Sequence, residues 1–337
     1  MLTDFIKKLL DKKPLSGQEA RVAFDAIVDG KETGLAIAAF LTALRFCGET
    51  TEIVYGAAEA IRKRARQVRV DSGIIADTCG TGGDYARTFN ISTVAAVVVA
   101  ACGIPVAKHG NRCVSSQSGS ADVLECAGMK IEIEPEKAER MIRDCGFAFL
   151  FAPAYHPAMK QVAGVRKELG FRTIFNILGP LCNPAGANVQ LLGVGSMALL
   201  DIIPMVLHQL GIQRAWVVFG EDGLDELSVA GKTYIVDVER QLRRFEISPE
   251  DAGLKRASLK DLAGGTPREN VMILKEILSG KDRGPKRDAV LLNAGAVILI
   301  AGKASNLKEA MAMADDAIKK GKASALFDRI VELSNAP

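Results

Sequence analysis

Strand-like and helix-like segments alternate along the chain from about Val70 onward, and this alternation is the strongest constraint on the fold. The candidates follow one another as GIIAD, STVAAVVVAACG, PVAK, SADVLECAG, KIEIE, PEKAERMIRDCG and FAFLFA. The helix candidates end at Gly103, Gly128 and Gly146, and the last of them begins at Pro135, which are common stop and start signals. Strand, helix and strand in this order predict right-handed crossovers and a parallel sheet that is covered on both faces.

Residues 94–101 are ambiguous within this pattern, because three consecutive valines favour a strand locally. The length of the apolar run and its flanking Ser92-Thr93 and Gly103 favour a buried helix. Further along, VQLLGVGS, AWVVFG, KTYIVDV and RRFEIS read as additional strands, and the chain closes with helices.

Two regions, residues 1–69 and residues 157–185, show helical patterns only. In the first, Ser16 and Glu19 have the spacing of a capping box. The second contains a helix that opens at His156-Pro157 and ends at Gly170, followed by a short helix and a loop rich in proline and glycine. The sequence therefore predicts an α/β protein with a small all-helical domain and a larger α/β domain, whose mostly parallel central sheet is flanked by helices. The predicted division is residues 1–69 and 157–185 for the helical domain, and residues 70–156 and 186–337 for the α/β domain.

Composition excludes several classes of protein. The net charge of +3 arises from 43 basic and 40 acidic residues, which is too balanced for a nucleic-acid-binding protein. The seven cysteines form no CxxC pair, so we expect reduced thiols in a reducing compartment. The segment MLTDFIKKLLDKK reads as an amphipathic helix rather than a signal peptide, and the longest apolar runs are too short for a membrane span. We therefore expect a cytoplasmic protein with no membrane partner.

A glycine-rich segment, IIADTCGTGGDYARTFNIST at residues 74–93, follows the first predicted strand. Gly80, Gly82 and Gly83 would let the backbone approach a ligand, and the next helix begins at Ser92-Thr93 with N–H groups that attract an anion. Ligands of such sheets bind at the carboxyl ends of the strands. The segment alone fits a phosphate site and an ordinary tight turn equally well.

Three known phosphate motifs are poor matches to this segment. A P-loop needs Gly-Lys-Ser/Thr, whereas the glycines here precede Asp84. A dinucleotide site needs an acid at the end of the second strand, where this chain has Lys108-His109. The signature of type I phosphoribosyltransferases has two acids, and here Asp77 stands alone and out of position.

A second polar segment, KHGNRCVSSQSGSAD at residues 108–122, follows the second predicted strand. A loop with only a structural role seldom places lysine, histidine, asparagine and arginine so close together after a buried strand. Ser118-Gly119-Ser120 marks another helix start, so two helix N-termini would face one crevice. The segment predicts a second anion contact.

Five segments together resemble the anthranilate phosphoribosyltransferases, enzymes of the nucleoside phosphorylase-like, class III phosphoribosyltransferase fold. They are DTCGTGGD, TFNIST, KHGNRCVSSQSGSADVLE, VRKELGFRTIFNILGPLCNPA and DGLDELS, and the resemblance runs from about residue 1 to residue 335. It implies transfer of 5-phosphoribose from phosphoribosyl pyrophosphate to the amine of anthranilate, with release of pyrophosphate, in tryptophan biosynthesis. It also implies a Mg²⁺ cofactor and a homodimer.

The resemblance assigns roles to individual residues. It implies contacts to phosphoribosyl pyrophosphate from Gly80, Gly82, Gly83, Asp84, Thr88, Asn90, Ser92, Thr93, Lys108, Asn111 and Ser120. It implies contacts to anthranilate from Gly80, His109, Asn111, Tyr155, His156, Arg166 and Pro180. The implied Mg²⁺ ligands are Ser92, Asp225 and Glu226. No residue is expected to act as an obligatory base, and His109 is the candidate proton acceptor.

Some of these residues also have simpler interpretations, and two alternative functions remain. The pair Asp225-Glu226 alone would be a solvated turn, and Arg166 alone a surface arginine, whereas guanidinium can bind a carboxylate in bidentate fashion. His208 reads as structural. A pyrimidine nucleoside phosphorylase relative and a non-catalytic nucleic-acid-binding relative remain as alternatives to the transferase. KHGNR argues against the first, and the near-neutral charge argues against the second.

Overall fold

A computed structural model describes residues 1–83, 86–113 and 118–337 of the chain. Four helices come first: α1 (Leu2–Leu10), α2 (Gly17–Val28), α3 (Gly34–Cys47) and α4 (Thr51–Arg62). The predicted capping box is confirmed at the start of α2, where Ser16 Oγ accepts from Glu19 N at 3.2 Å and the Glu19 carboxylate accepts from Ser16 N at 2.8 Å.

A seven-stranded sheet forms the centre of the molecule, which confirms the predicted central sheet. The strands are β1 (Ala76–Gly80), β2 (Val106–Gly110), β3 (Phe147–Phe151), β4 (Val189–Gly193), β5 (Arg214–Gly220), β6 (Thr233–Val238) and β7 (Leu242–Ile247). Their order is β3-β2-β1-β4-β5-β6-β7. The first five strands are mutually parallel, and β6 and β7 are added in antiparallel fashion.

Eleven further α-helices surround the sheet in the described residues. They are α5 (Ile91–Ala101), α6 (Ser120–Cys126), α7 (Pro135–Cys145), α8 (Ala152–Tyr155), α9 (Lys160–Leu169), α10 (Phe175–Leu178), α11 (Leu199–Gln209), α12 (Pro267–Leu278), α13 (Pro285–Ile300), α14 (Leu307–Lys319) and α15 (Lys322–Asn335). The ambiguous valine run is helical. Residues 94–100 are all buried in α5, and a helix that is apolar on every side belongs inside the core.

Two clusters of buried side chains hold these elements together. The first packs α5, α7 and α13 against β1, β2 and β3. The second joins the N-terminal helices to α9, α10 and α11 and to one face of β4, β5 and β6. Residues 157–185 thus share a core with the N-terminal helices and with the sheet. The domain boundaries given above stay a prediction.

The KIEIE segment is a correction to the sequence analysis, because residues 130–134 form no strand. Ile131 and Ile133 are buried at alternating positions, and this burial produced the strand-like pattern. The backbone bonds to side chains instead of a neighbouring strand: Ile133 O accepts from Tyr155 Oη at 3.0 Å, and Lys130 N donates to Ser334 Oγ at 3.0 Å. The segment then leads directly into α7.

None of the helices in the described part of the chain is both long enough and apolar enough to cross a membrane.

Candidate active site

A cleft of about 480 Å³ opens where β1 and β2 end. The chain runs from β1 outward to β2 and β3, and then returns to β4 on the other side of β1. In an open parallel sheet such a reversal leaves a crevice at the carboxyl ends of the strands. The glycine-rich segment and the KHGNR segment both lie on this cleft, as expected from their positions after β1 and β2.

The glycine loop, defined here as Thr81, Gly82 and Gly83, forms one wall of the cleft. Gly82 and Gly83 have φ angles of +65° and +82°, a region that side chains other than glycine rarely adopt. Gly82 N donates to Asp225 Oδ2 at 2.8 Å, and Thr81 Oγ1 accepts from Gly195 N at 3.0 Å. The glycine loop is therefore held both by the loop after β5, through Asp225, and by the residues after β4, through Gly195. Asp84, the next predicted contact, lies outside the described residues.

The N-terminus of α5 faces the same cleft. Ser92 N donates to Glu226 Oε1 at 3.2 Å, so a carboxylate already lies where the helix dipole stabilises negative charge. Thr93 is fully buried, and Thr88 pairs with Ala263 in an isolated β-bridge beside the cleft. The side chain of Asn90 is held on both sides, donating to Ser118 O at 3.0 Å and accepting from Asn270 Nδ2 at 2.9 Å.

Lys108 reaches this helix terminus from β2. Its ammonium group donates to Thr78 O at 2.6 Å and lies 3.4 Å from Ser92 Oγ, although the residue is only 2% exposed. Burial lowers the pKa of Lys108, and the negative charge of Asp77 opposes that shift. Ser120, the remaining predicted phosphate contact, lines the cleft at the start of α6 and donates to Asn111 O at 3.3 Å.

Asp77 is the buried carboxylate that the motif comparison left without a role. It accepts from His109 N at 3.3 Å and from Asn183 Nδ2 at 2.8 Å. Burial raises the pKa of Asp77, and Lys108 opposes the rise. Asn183 also donates to Ala107 O at 2.8 Å, so the loop after α10 is fastened to both β1 and β2.

A second cavity of about 200 Å³ adjoins the cleft and is mostly apolar. His109 and Asn111 line both spaces, so the two lie next to each other. The rest of the lining comes from α4, α8, α9, α10 and the residues next to the last three: Ile61, Ala152, Pro153, His156, Met159, Lys160, Ala163, Arg166, Phe175, Leu178, Gly179 and Cys182.

The rings of His109 and His156 lie side by side in this cavity, with their centroids 5.1 Å apart. Burial lowers the pKa of His109 to about 3, with a further contribution from His156, and lowers the pKa of His156 to about 4. His109 Nδ1 lies 3.1 Å from Gly179 O, which can only accept. The proton of the neutral ring is therefore on Nδ1. Nε2 is an acceptor with no hydrogen-bond partner among the described residues.

Arg166 brings a positive charge to the apolar wall. Its guanidinium lies 5.7 Å from the centre of the Phe175 ring. Burial lowers the pKa of Arg166, and the nearby positive charge of Arg172 lowers it further. No acidic side chain in the described ranges forms an ion pair with Arg166. This arrangement suits an aromatic ligand that carries a carboxylate.

Tyr155 and Pro180 do not line the cavity, contrary to the expectation from the motifs. Tyr155 is fully buried in the α/β core, where its hydroxyl donates to Ile133 O and burial raises its pKa. Pro180 contributes its main-chain oxygen to a 2.7 Å hydrogen bond from Gln190 Nε2. Both residues are buried and lie outside the lining of the cavity.

Arg172 and Asn176 also line the cleft, from the loop before α10 and from α10 itself, and neither was among the predicted site residues. Both occur in the segment VRKELGFRTIFN, a short distance after Arg166. The available signal was their position in a segment that already carried the family resemblance.

Asp225 and Glu226 lie in the loop after β5 and approach the strand ends closely. A Cβ at Gly80 would overlap the carboxylate of Asp225, and one at Gly193 would overlap its backbone. The oxygens of Asp225, Glu226 and Ser92 are hard donors of the kind that Mg²⁺ prefers. The described residues contain no cluster of three or more acidic, histidine or cysteine side chains. Because Asp225 and Glu226 place two carboxylates on the cleft, the site fits an ion held by one or two carboxylates and by substrate phosphates.

Comparison with known proteins agrees with this geometry. A family profile described as "Glycosyl transferase family, a/b domain" matches residues 72–324, and one described as its helical bundle domain matches residues 3–65. An anthranilate phosphoribosyltransferase of Desulfosudis oleivorans is 48% identical over 337 residues, covering 100% of this chain and 99% of the relative.

The chain belongs to the anthranilate phosphoribosyltransferases.

Two solved structures of this family are close to the fold described above. The enzyme from Thermus thermophilus superposes with a TM-score of 0.93 at 44% identity, covering 98% of this chain and 99% of that one. The enzyme from Saccharomyces cerevisiae, solved in complex with PRPP and Mg, superposes with a TM-score of 0.92 at 31% identity, covering 99% and 97%. The expected fold class and family are thereby confirmed.

Proposed function

We propose that the protein transfers the 5-phosphoribosyl group of phosphoribosyl pyrophosphate to the amine of anthranilate. The C1–O bond to pyrophosphate breaks, and the oxygen keeps the electron pair. The amine nitrogen forms the new bond to C1 and loses one proton. The products are N-(5-phosphoribosyl)anthranilate and pyrophosphate. Tryptophan biosynthesis is the pathway that this reaction serves in the family.

One observation supports this proposal most strongly: a polar cleft and an apolar cavity meet at His109 and Asn111. The cleft offers the glycine loop, the α5 N-terminus and Lys108 to a phosphorylated donor. The cavity offers Arg166 and an apolar wall to an aromatic acid. C1 of phosphoribosyl pyrophosphate, placed where the cleft and the cavity meet, would face the amine nitrogen of anthranilate. Such positioning supplies a large part of the rate in two-substrate transfers.

The donor contacts that we propose are those of the sequence analysis, with Asp84 outside the described residues. Gly80, Gly82, Gly83 and Lys108 would hold the pyrophosphate and ribose, because they combine close backbone approach with a buried positive charge. The other proposed contacts, from the α5 and α6 starts and their neighbours, are Thr88, Asn90, Ser92, Thr93, Asn111 and Ser120.

We propose Mg²⁺ as the cofactor, with Ser92, Asp225 and Glu226 as its protein ligands. The ion would neutralise charge that develops on the departing pyrophosphate. Asp225 also orients the glycine loop through its hydrogen bond with Gly82 N. The loop and the metal ligands are thus held in one arrangement.

On the acceptor side, Arg166 would bind the carboxylate of anthranilate, and Asn111 would lie between the two substrates. His156 and His109 belong to the lining of the apolar cavity and would face the aromatic ring of anthranilate. An aromatic amine is unprotonated at neutral pH, so no strong base is required. His109 is the candidate acceptor of the proton that the amine nitrogen loses.

Anthranilate fluorescence gives a direct test of the proposal. The signal is expected to fall when the protein, phosphoribosyl pyrophosphate and Mg²⁺ are combined, and to stay constant when any one of them is left out. A phosphorylase relative would instead consume a pyrimidine nucleoside and inorganic phosphate. Constant fluorescence in the complete mixture, with correctly folded protein, would refute the proposed reaction.

We also propose a homodimer that forms through α1 and α3. Leu35 and Phe46 lie eleven residues apart on one side of α3 and are 84% and 82% exposed, with Leu10 of α1 also exposed. Large apolar side chains gathered on one surface usually mark an interface. Phe46→Glu is expected to shift the protein to monomers in sedimentation velocity, whereas Lys167→Glu on α9 leaves the dimer intact.

A cytoplasmic location and the domain division given above complete the proposal. None of the seven cysteines, all of which lie in the described ranges, forms a disulfide, in keeping with a reducing compartment. The shared core of the N-terminal helices with α9 and α10 supports grouping residues 1–69 with residues 157–185.

A further inference from the structure

Arg172 joins the two halves of the site by direct contacts. It lies between α9 and α10, and its Nη2 donates to Thr81 O in the glycine loop at 3.1 Å. Its guanidinium also lies against Gly83, where an added Cβ would overlap it. A loop of the acceptor side therefore touches the glycine loop of the donor side.

The helices on either side of Arg172 form much of the acceptor cavity. Ala163 and Arg166 line it from α9, and Phe175 and Leu178 line it from α10. Arg172 itself lines the donor cleft and is not among the residues of the acceptor cavity. A shift of the glycine loop would thus reach the acceptor wall through the Arg172–Thr81 hydrogen bond.

The other anchors of the glycine loop come from the sheet side, and they include the 2.9 Å hydrogen bond that Thr81 N donates to Gly193 O. Asp225 accepts from Gly82 N, and Gly195 N donates to Thr81 Oγ1. Arg172 is the anchor from the helical side. Because the glycine loop is anchored on both sides, any movement of the loop on ligand binding also requires a movement of Arg172 on the helical side.

Charge adds a second link between the sites. Within the described residues no acidic side chain forms an ion pair with Arg172 or with Arg166, and the positive charge of Arg172 is felt at Arg166. An anion bound beside Arg172 reduces the repulsion between the two guanidinium groups. It thereby favours the arrangement of Arg166 that receives a carboxylate, and the same holds in the opposite direction.

We infer that Arg172 is a positioning residue that couples the two substrate sites, so that an anion at the glycine loop strengthens the binding of an aromatic carboxylate beside Arg166. The inference rests on the proposed function for the identity of the two ligands. It assigns no chemical step to Arg172.

Calorimetric titration measures this coupling without turnover. Anthranilate is titrated into the protein alone and into the protein saturated with pyrophosphate and Mg²⁺, and the ratio of the two Kd values is the coupling factor. A wild-type factor of about 5 or more is expected, the lower end of typical allosteric coupling. Arg172→Met is expected to bring the factor to about 1. Because it also removes the repulsion between the two guanidinium groups, the Kd for anthranilate alone should fall towards the wild-type value measured with pyrophosphate.

Two variants separate coupling from a general structural effect. Arg172→Lys keeps a positive charge and a donor, so it is expected to retain part of the coupling. Lys167→Met removes one positive charge from exposed α9 and is expected to leave the factor at its wild-type value. Thermal unfolding of each variant identifies any that does not fold.

A wild-type factor of 1, an unchanged factor in Arg172→Met, or an equal loss in Lys167→Met would overturn the inference. Loss of pyrophosphate binding in Arg172→Met, with the coupling factor preserved at saturation, would make Arg172 a simple anion contact and would also overturn it. Because the titration needs no reaction, a wild-type protein without transferase activity would refute the proposed function and still report the coupling.

Discussion

Asn183 donates a 2.8 Å hydrogen bond to the fully buried carboxylate of Asp77, and through it the loop after α10 is fixed to the centre of the sheet. The other oxygen of Asp77 accepts from His109 N. The same loop carries Gly179, whose carbonyl accepts the Nδ1 proton of His109. One carboxylate thus positions both the backbone of His109 and the loop that orients its ring.

Asp77→Asn is expected to lower the free energy of unfolding by about 1–3 kcal/mol, because one of the two donors facing residue 77 then meets an amide hydrogen. The KM for anthranilate should rise more than the KM for phosphoribosyl pyrophosphate, since His109 is displaced. Urea unfolding and initial rates measure the two effects. Asp71→Asn, six residues earlier and exposed, is the control and should change neither. Equal stability of Asp77→Asn and wild type would contradict this account.

Arg166→Ala is expected to raise the KM for anthranilate by roughly 10- to 100-fold, the range that corresponds to loss of a charge-assisted hydrogen bond pair. The KM for phosphoribosyl pyrophosphate should change far less, because Arg166 lines the acceptor cavity and not the donor cleft. Steady-state kinetics with each substrate varied in turn measure this split. Lys167→Ala, its exposed neighbour, serves as the control. Parallel increases in both constants would remove Arg166 from an acceptor role.

Gly80→Ala is expected to lower kcat/KM for phosphoribosyl pyrophosphate by roughly tenfold or more, equivalent to about 1.4 kcal/mol or more. The added methyl group would overlap the Asp225 carboxylate and move a proposed Mg²⁺ ligand, so the Mg²⁺ concentration for half-maximal rate should rise. Gly73→Ala is the matched control, because a Cβ there meets no atom within 4 Å. An unchanged metal titration in Gly80→Ala would speak against Asp225 as a ligand.

The free energy of unfolding is expected to fall as the pH is lowered, and part of this fall comes from protonation of His156. Its pKa of about 4 in the folded protein lies below the ordinary value of about 6.5 that the unfolded chain retains. The unfolded state therefore binds the proton first as the pH drops below about 6.5, and stability declines by up to about 1.4 kcal/mol per pH unit down to pH 4. His156→Gln should lose this contribution in urea unfolding between pH 6.5 and pH 4. His208→Gln, at an exposed site on α11, should keep it.

Much of the fold followed from local patterns. Glycine and proline signals located α5, α7 and β3, because a helix end depends on a few neighbouring residues. KIEIE was misread because alternating burial looks the same whether or not a partner strand lies alongside. The placement of β6 and β7 as antiparallel additions depends on contacts between strands, which no single segment encodes.

The functional site was likewise predictable only where local sequence determines it. Lys108 was recognisable because a buried strand seldom ends in a lysine, whereas Gly82 and Gly83 alone also fitted an ordinary tight turn. Tyr155 and Pro180 were placed in the acceptor cavity by motif position, whereas their burial depends on the packing of β3 and β4. Arg172 and Asn183 escaped notice because their importance comes from partners about 90 and 106 residues away in the chain.

The acceptor cavity takes most of its wall from helices, whereas the donor cleft takes its main contacts from the ends of β-strands. Ala163 and Leu178 line the cavity and contribute nothing to the cleft. Exchanging them for smaller or larger apolar residues is therefore a route to enzymes that accept other aromatic amines. Such a redesign can leave the sugar-phosphate donor, and the whole set of strand-end loops that binds it, as they are in the natural protein.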